Sequence, residues 1–418
     1  MSKLLFSGVL FLLVSLGSCS PIQCQKSQVF KDLREAIINK EQTAVDLAHE
    51  IDVEYIHNWI SVDEDFYGEY YWLNPNRNRP FETTFIILAL FYNQINVVEI
   101  LIKKGVNVFI WDHYGNTALH VASSLGHKSV VKMILDQLEP QDINDANKAG
   151  VNALQMAIHY KRADVIEELL KKFADPFITD ISENTALHLV IDGSFGKELI
   201  SMIIDVAMKK IINNLRQNVV RDPSVLSLPN LVENGGDRDK IRESMLKFIN
   251  SINRRGESAL YLAISTSDCS VETLQCLLDN GADPWIGDDR GNTALAVALM
   301  YKRGLNFIST LITAARRQIM QNMGQNVMTD PSSCSIPNFV QDGRDRDDIC
   351  EAMSDFINLK NRQGLTPLWI AITNSHYSVE IVELLLENGA DPRIGDALLI
   401  AISKTCSVKI VELLLENG

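Results

Sequence analysis

Two sets of carboxylates are the first candidates for chemistry in this 418-residue chain. The sets are Asp237, Asp239 and Glu243, then Asp345, Asp347 and Glu351. Carboxylate oxygens are the ligands that a divalent cation prefers, so a recurring triplet is a candidate metal site. The spacing lacks the glycine of an EF-hand, and acids just before a predicted helix also stabilise its N-terminus. We expect helix capping here, with a metal site as the alternative.

Histidines and cysteines are the other candidates. His120 and His188 each follow a threonine by three residues, which invites comparison with a catalytic base. Seven cysteines show no CxxC pair and no histidine at metal-ligand spacing. We expect Cys269, Cys276 and Cys406 to be small apolar helix residues. No Gly-x-Ser-x-Gly, HExxH, Walker or dinucleotide motif occurs, so we expect neither an enzyme nor a bound cofactor.

Composition narrows the class of protein. Hydrophobic residues make up 46% and charged residues 22%, which is typical of a folded chain and excludes wholesale disorder. Lys and Arg number 39 against 53 Asp and Glu, which gives a net charge of −14. A chain this acidic lacks the general attraction to phosphate on which nucleic-acid binding depends. We therefore expect no nucleic-acid partner.

The first residues have the order of a signal peptide. Lys3 precedes an apolar run from Leu4 to Leu16, and small residues follow it. The run is too short to span a bilayer as a helix. The segment Leu16-Gly17-Ser18-Cys19 resembles a bacterial lipobox, which implies cleavage after residue 18 and a lipid on Cys19. Residues 1–18 are thus predicted to be a signal peptide, and the product a lipid-anchored envelope protein; secretion without lipid is the alternative.

A short sequence motif recurs along the chain. Its copies include Gly115-Asn116-Thr117-Ala118-Leu119-His120, Asn184-Thr185-Ala186-Leu187-His188, Gly291-Asn292-Thr293-Ala294-Leu295 and Gly364-Leu365-Thr366-Pro367-Leu368. Successive copies are spaced by 33 residues from Ala89 to Ala122 and by 35 from Ala122 to Ala157. This period and its T-x-L-H core are identified as the signature of ankyrin repeats. The resemblance covers residues 81–418 and predicts an all-α solenoid of helix-turn-helix repeats with short β-hairpin fingers.

The ankyrin resemblance gives the recurring residues structural roles. Thr117, Thr185, Thr293 and Thr366 lie where a hydroxyl caps a helix N-terminus, and Pro367 suits a first helical turn. Leu119 is expected to be a core residue. In this family His120 and His188 form hydrogen bonds within and between repeats. Gly105, Gly281 and Gly389 follow second helices, where a left-handed conformation is needed.

Two inserts interrupt the period, at about 207–252 and 315–360. Residues near 184–288 align with 292–396 at a constant offset of 108. Each insert extends the second helix of its repeat by several turns and adds a third helix, which bears Phe248 or Phe356. We expect two helical hairpins that project from the same side of one continuous stack, their apolar stripes buried against the third helix.

The two ends of the chain are less regular. Residues 19–80 are predicted to be the mature N-terminus with a degenerate capping repeat. Residues 64–72 are acidic and aromatic, and form either a recognition segment or a loop packed on the first repeat. At the other end, Asp396 runs directly into a helix, and the chain stops at Gly418, where Ala-Asp-Pro follows in earlier repeats. We expect a last repeat without a polar cap, as an interrupted reading frame would produce.

The repeats predict a function of binding rather than catalysis. Ankyrin arrays bind proteins through finger tips and the concave face of the first helices, so we expect a monomeric scaffold with protein partners. Ankyrin arrays with export signals resemble those of host-associated bacteria, which implies host proteins as partners. The alternative is a metal-dependent or enzymatic module built on the two inserts.

Overall fold

The computed structural model describes residues 21–50, 60–62, 81–219, 235–322, 343–374, 379–404 and 407–418. The predicted signal peptide, Cys19 and the aromatic segment 64–72 lie outside these residues. The chain divides into two compact units, the first ending at Ala174 and the second beginning at Asp175. No helix in the described ranges is both long enough and apolar enough to cross a membrane.

The first unit contains eight of the described helices and one small sheet. Their bounds are α1 Pro21–Ile38, α2 Thr43–Glu50, α3 Phe85–Phe91, α4 Ile95–Lys103, α5 Ala118–Leu125, α6 Lys128–Leu135, α7 Ala153–His159 and α8 Ala163–Lys171. Strand β1 (Ile60–Val62) pairs antiparallel with β2 (Phe81–Thr83), and a 3-10 turn spans Asp142–Asn144. The first helices α3, α5 and α7 pack side by side, and so do the second helices α4, α6 and α8.

The second unit contains the duplicated inserts. Its described helices are α9 Ala186–Asp192, α10 Lys197–Val219, α11 Gly235–Ile249, α12 Ala259–Ser265, α13 Val271–Asp279, α14 Ala294–Met300, α15 Leu305–Asn322, α16 Gly343–Ile357, α17 Pro367–Thr373, α18 Val379–Glu387, α19 Ala397–Ser403 and α20 Val408–Asn417. First helices α9, α12, α14, α17 and α19 form one layer. Second helices α10, α13, α15, α18 and α20 form the other.

Each repeat buries its two helices in different ways. First helices are short and buried almost all round; in α14 every residue from Ala294 to Leu299 is buried. Small residues such as Ala122 and Ala298 let neighbouring first helices approach closely. Second helices are amphipathic, and in α8 the residues Val165, Ile166 and Leu169 face the core. One repeat therefore depends on its neighbours for burial, as expected of a solenoid.

The inserts continue the helical layers. Helices α10 and α15 extend the second helix of their repeats, and they pack against α11 and α16 respectively. The apolar stripe is buried along α15, including Ile308, Leu311 and Ile319. Met323 and Val327, which continue the same helical spacing in the sequence, lie outside the described residues. Within those residues, the helix that carries the stripe packs against the third helix of the same insert and against the first helix of its own repeat.

The final repeat leaves apolar side chains in solvent. Ile402 on α19 is 58% exposed, whereas Ile372, its counterpart on α17, is 2% exposed because α19 covers it. Leu415 on α20 is similarly exposed, although its counterpart Leu386 on α18 is buried. Asp396, directly before α19, adopts a left-handed conformation with φ 55° and makes no side-chain cap.

Candidate protein-binding surface

A five-residue turn, here called a finger, precedes each regular first helix. The fingers are residues 112–116, 147–151, 180–184, 253–257, 288–292 and 361–365. In each one the first N–H donates to the carbonyl of the last residue, as from Asp112 to Asn116 at 2.8 Å. The fourth residue adopts a positive φ and is glycine in five fingers, whereas Glu183 holds φ 64° in the third. Flanking strand pairing is limited to bridges at Ala146–Asn152 and Ile252–Ser258 in the described residues.

The first residue of the finger fixes the turn. Asp112 accepts N–H donors from Tyr114 and Asn116, both at 2.8 Å, through Oδ1. It is fully buried, and burial raises its pKa to about 6 despite those donors. A buried carboxylate with this many donors locks the backbone, so the residues at the tip are presented in one conformation.

Buried side chains join fingers in pairs. Asn147 Nδ2 donates to Asn116 Oδ1 at 2.8 Å, and Asn116 Nδ2 donates to Asp112 Oδ2 at 3.1 Å. The second unit repeats this Asp–Asn–Asn relay twice, as Asp180–Asn184–Asn253 and Asp288–Asn292–Asn361. Because a carboxylate only accepts, it orients the first amide, which in turn orients the second. The alternation of Asp and Asn at the first finger position is the sequence signal of this relay.

Both candidate histidines lie inside this network. Thr117 N–H donates to His120 Nδ1 at 3.2 Å, so Nε2 carries the proton and donates to Val151 O at 3.1 Å. Burial lowers the pKa of His120 to about 4, which keeps the ring neutral. His188 makes the same contacts with Thr185 and with Ser251 O, at 3.2 and 3.0 Å. The histidines thus link a helix N-terminus to the following finger and do not face a cleft.

The other predicted repeat residues lie as follows. Thr366 Oγ1 accepts from Trp369 N at 3.2 Å, and Pro367 occupies the first turn of that helix. Thr293 Oγ1 accepts from Ala296 N at a longer 3.5 Å, and Leu119 is buried. The glycines after second helices have positive φ values: Gly105 78°, Gly281 96° and Gly389 96°.

The first finger, residues 112–116, has exposed aromatic side chains at its tip and on the segment that leads into it. Phe109 and Trp111 are 38% and 58% exposed on the segment that leads into it. At the tip, His113 is exposed and stacks edge-on against Tyr114, with ring centroids 5.4 Å apart. Exposed aromatic residues on a rigid turn are typical of the anchor positions of protein interfaces.

The fingers of the second unit present charged tips. Arg254 pairs with Glu183 at 3.6 Å, and both side chains are largely in solvent. Neighbouring tips are joined by backbone bonds, since Arg362 N donates to Arg290 O at 2.8 Å. Arginine side chains at a shared edge can pair with carboxylates of a partner.

The inserts fill the space beside two fingers. Phe177 and Trp285 precede the 180–184 and 288–292 fingers, as Phe109 precedes the first. Phe248 on α11 packs on Phe177 with centroids 4.6 Å apart, and Phe356 on α16 packs on Trp285 at 4.9 Å. Phe109 remains exposed because the first unit has no insert.

Each insert is also bound to the repeat that follows it. Asn250, just after α11, donates to Gly281 O at 2.9 Å and accepts from Asp283 N at 2.8 Å. Asn358 makes the same two bonds with Gly389 O and Asp391 N, at 2.7 and 2.8 Å. The expected projecting hairpin is therefore held at its base by the next repeat.

Within the described residues no group of three potential metal ligands converges, and three of the six carboxylates of the two triplets are not among those residues. Glu243 is instead paired with Lys247 at 2.8 Å, which lowers its pKa. Helix α11 begins at Gly235, so Asp237 and Asp239 lie in its first turns rather than before it. The side chains of Asp237, Asp345 and Asp347 lie outside the described residues.

Comparison with known families identifies the repeats. A model described as ankyrin repeats (3 copies) matches residues 64–147 and 340–418, and a second, described as ankyrin repeats (many copies), matches 134–190. These matches identify ankyrin repeats over residues 64–190 and 340–418, and the period, the caps and the fingers described above agree with them. The fold class is an ankyrin-repeat solenoid, as predicted.

The chain matches only part of the length of each of the following curated relatives. The chain is 30% identical over 118 residues to the nuclear factor NF-kappa-B p105 subunit of Gallus gallus, covering 28% of this chain and 12% of that protein. A putative ankyrin repeat protein of Acanthamoeba polyphaga mimivirus is 25% identical over 230 residues, covering 52% and 28%. A putative ankyrin repeat protein of Rickettsia bellii is 31% identical over 105 residues, covering 25% and 58%.

Solved structures resemble the chain loosely. The ankyrin repeat domain of Bcl-3 aligns with TM-score 0.43 and 19% identity, covering 67% of this chain and 96% of that domain. A chain from the complex of a predatory endopeptidase of Bdellovibrio bacteriovorus with an immunity protein aligns with TM-score 0.39 and 22% identity, covering 54% and 95%. The ankyrin repeats are identified from the family models and the repeat geometry.

Proposed function

We propose that this chain is a non-enzymatic scaffold that binds a protein partner through its fingers. The observation that supports it most is the exposure of Phe109 and Trp111 beside a turn whose base is buried and fully hydrogen-bonded. Such residues lose little conformational entropy on binding and bury a large apolar area. The buried, neutral histidines are unsuited to proton transfer with a substrate.

Partner capture tests this function. The Trp111→Ala variant should retain less than a tenth of the partner that the wild-type chain captures from host or self lysates, because aromatic anchors dominate interface energies. Phe173→Ala is the matched control, since Phe173 is also about half exposed but lies after α8 rather than on a finger. Equal loss in the two variants, or none in either, would contradict binding through the finger.

We also propose that the scaffold is exported and anchored in a bacterial envelope through a lipid on Cys19. Host proteins are then candidate partners. The support is the order of residues 1–19. Several acyl chains on one residue hold a protein stably at a membrane.

Membrane partition tests the anchor. Wild-type chain should be cleaved after residue 18 and should pellet with membranes, and Cys19→Ser should remain uncleaved, with its signal peptide still attached. Cys24→Ser, which leaves the lipobox intact, should behave as wild type. A Cys19→Ser chain that is still processed and still pellets would show that the anchor lies elsewhere.

A further inference from the structure

Arginine bridges link the loops that join the two helices of neighbouring repeats. In the first unit, Arg162 Nε donates to Ser124 O at 2.9 Å. In the second, Arg303 Nε donates to Ile264 O at 2.8 Å and Nη1 to Ser267 O at 3.1 Å. Its guanidinium carbon also lies 5.0 Å from the centre of the Phe307 ring. In both bridges a guanidinium satisfies carbonyls at the C-terminal end of the preceding first helix.

Counted along the chain from the first helix, Asp268 takes the place of these arginines in the repeat where α12 follows α9. Arg162 and Arg303 come five residues after Ala157 and Ala298, and Asp268 comes five after Ala263. A carboxylate has no hydrogen to donate, so Asp268 cannot bond to the carbonyl end of α9. At this junction an open cleft of about 370 Å³ lies between the loops that arginine bridges at the α5–α7 and α12–α14 junctions.

The charge of the residues that line this cleft favours the binding of a cation. Ile191 and Ser194 at the end of α9 line one wall, and the carbonyl end of a helix carries partial negative charge. The lining contains three carboxylates, from Glu198, Asp268 and Glu272, and one ammonium group, from Lys197. Its formal charge is therefore −2. Hydroxyl groups of the lining provide further acceptors.

We propose that this cleft binds the guanidinium group of an arginine side chain on the partner protein. The guanidinium takes the place that Arg162 and Arg303 fill elsewhere, donating to the α9 carbonyls and to Asp268. A planar group with five donors suits several acceptors at once, whereas an ammonium is a point charge. This inference rests on the proposed scaffold function, and it gives the partner protein a second contact with the chain.

Binding of small probes to the full-length chain tests the cleft. N-acetyl-arginine methylamide should give a saturation-transfer NMR signal, and its neutral isostere N-acetyl-citrulline methylamide should not. Asp268→Arg, which places an internal guanidinium in the cleft, should weaken arginine binding at least tenfold. Asp205→Arg makes the same charge change at an exposed position of α10 and should leave binding intact. Equal binding of the two probes, or unchanged binding to Asp268→Arg, would overturn the proposal.

Two further readouts complete the test. A glycine-serine peptide with one central arginine should bind as the small probe does; binding of the small probe alone would mean that the cleft takes a free guanidinium compound, which contradicts a partner side chain. Asp268→Arg should also raise the melting temperature, while a fall larger than that of Asp205→Arg would show that arginine does not fit. Trp111 lies in the other unit, so the partner-capture experiment with Trp111→Ala can succeed even if the arginine probe does not bind the cleft. Equally, the probe can bind even if that capture experiment fails.

Discussion

Replacement of Phe356 by alanine tests whether the insert is an integral part of the array. Phe356 is fully buried on α16, and its ring lies 4.9 Å from that of Trp285, which leads into the 288–292 finger. Truncation of a buried phenylalanine costs about 3–5 kcal/mol, and the aromatic pair adds about 0.5–1.5 kcal/mol beyond burial. We therefore expect a loss of about 4 kcal/mol in the local stability of α16.

Hydrogen exchange resolved by peptide measures this loss. A local change of about 4 kcal/mol corresponds to roughly a thousand-fold faster exchange, since about 1.4 kcal/mol is tenfold. The acceleration should appear in 343–357 and 305–322, the two helices that pack together. Leu359→Ala is the matched control, because Leu359 is largely exposed just after α16. An effect of less than about 1 kcal/mol, or equal effects in the two variants, would refute the packing of the insert against the finger.

Three further predictions concern single side chains. Asn358→Ala should destabilise the second unit by about 1.5–3 kcal/mol in urea unfolding, because it leaves Asp391 N–H without its acceptor; no change would mean that the clamp is dispensable. Burial lowers the pKa of His120 from its ordinary value of 6.5 to about 4, so the unfolded chain binds that proton more tightly and stability is lost as the pH falls from 6.5 to 4. His120→Gln should therefore lose about 3 kcal/mol less than wild type between pH 7 and pH 4, and parallel pH profiles would disprove this. Burial raises the pKa of Cys269 to about 11, so iodoacetamide at pH 8 should label exposed Cys350 first by mass spectrometry; equal rates would contradict it.

Local rules predicted the repeats from the sequence. The caps, such as the one at Thr366, and the glycines after second helices depend on contacts within a few residues, so the residue types reveal them, and their recurrence gives the period. The 108-residue offset likewise predicted that both inserts share one local structure. The equivalent clamps of Asn250 and Asn358 follow that symmetry.

Contacts between repeats could not be predicted in the same way. The Asp–Asn–Asn relays join residues 31 to 69 positions apart, and each depends on which repeat packs beside which. The cleft beside Asp268 is visible only by comparison with the arginine bridges, since nothing local marks an aspartate as the missing donor. The clamp by Asn358 was also missed, because an asparagine after a helix usually signals only a C-terminal cap.

Photo-crosslinking from the finger tests binding through the fingers most directly. Benzoyl-phenylalanine placed at Trp111 should form a covalent adduct with one partner protein when the full chain is irradiated in lysate. The same residue at Phe173, which is similarly exposed but lies away from the first finger, should yield no adduct with that partner. A partner captured by the chain that crosslinks from Phe173 and not from Trp111 would show that the binding surface lies elsewhere.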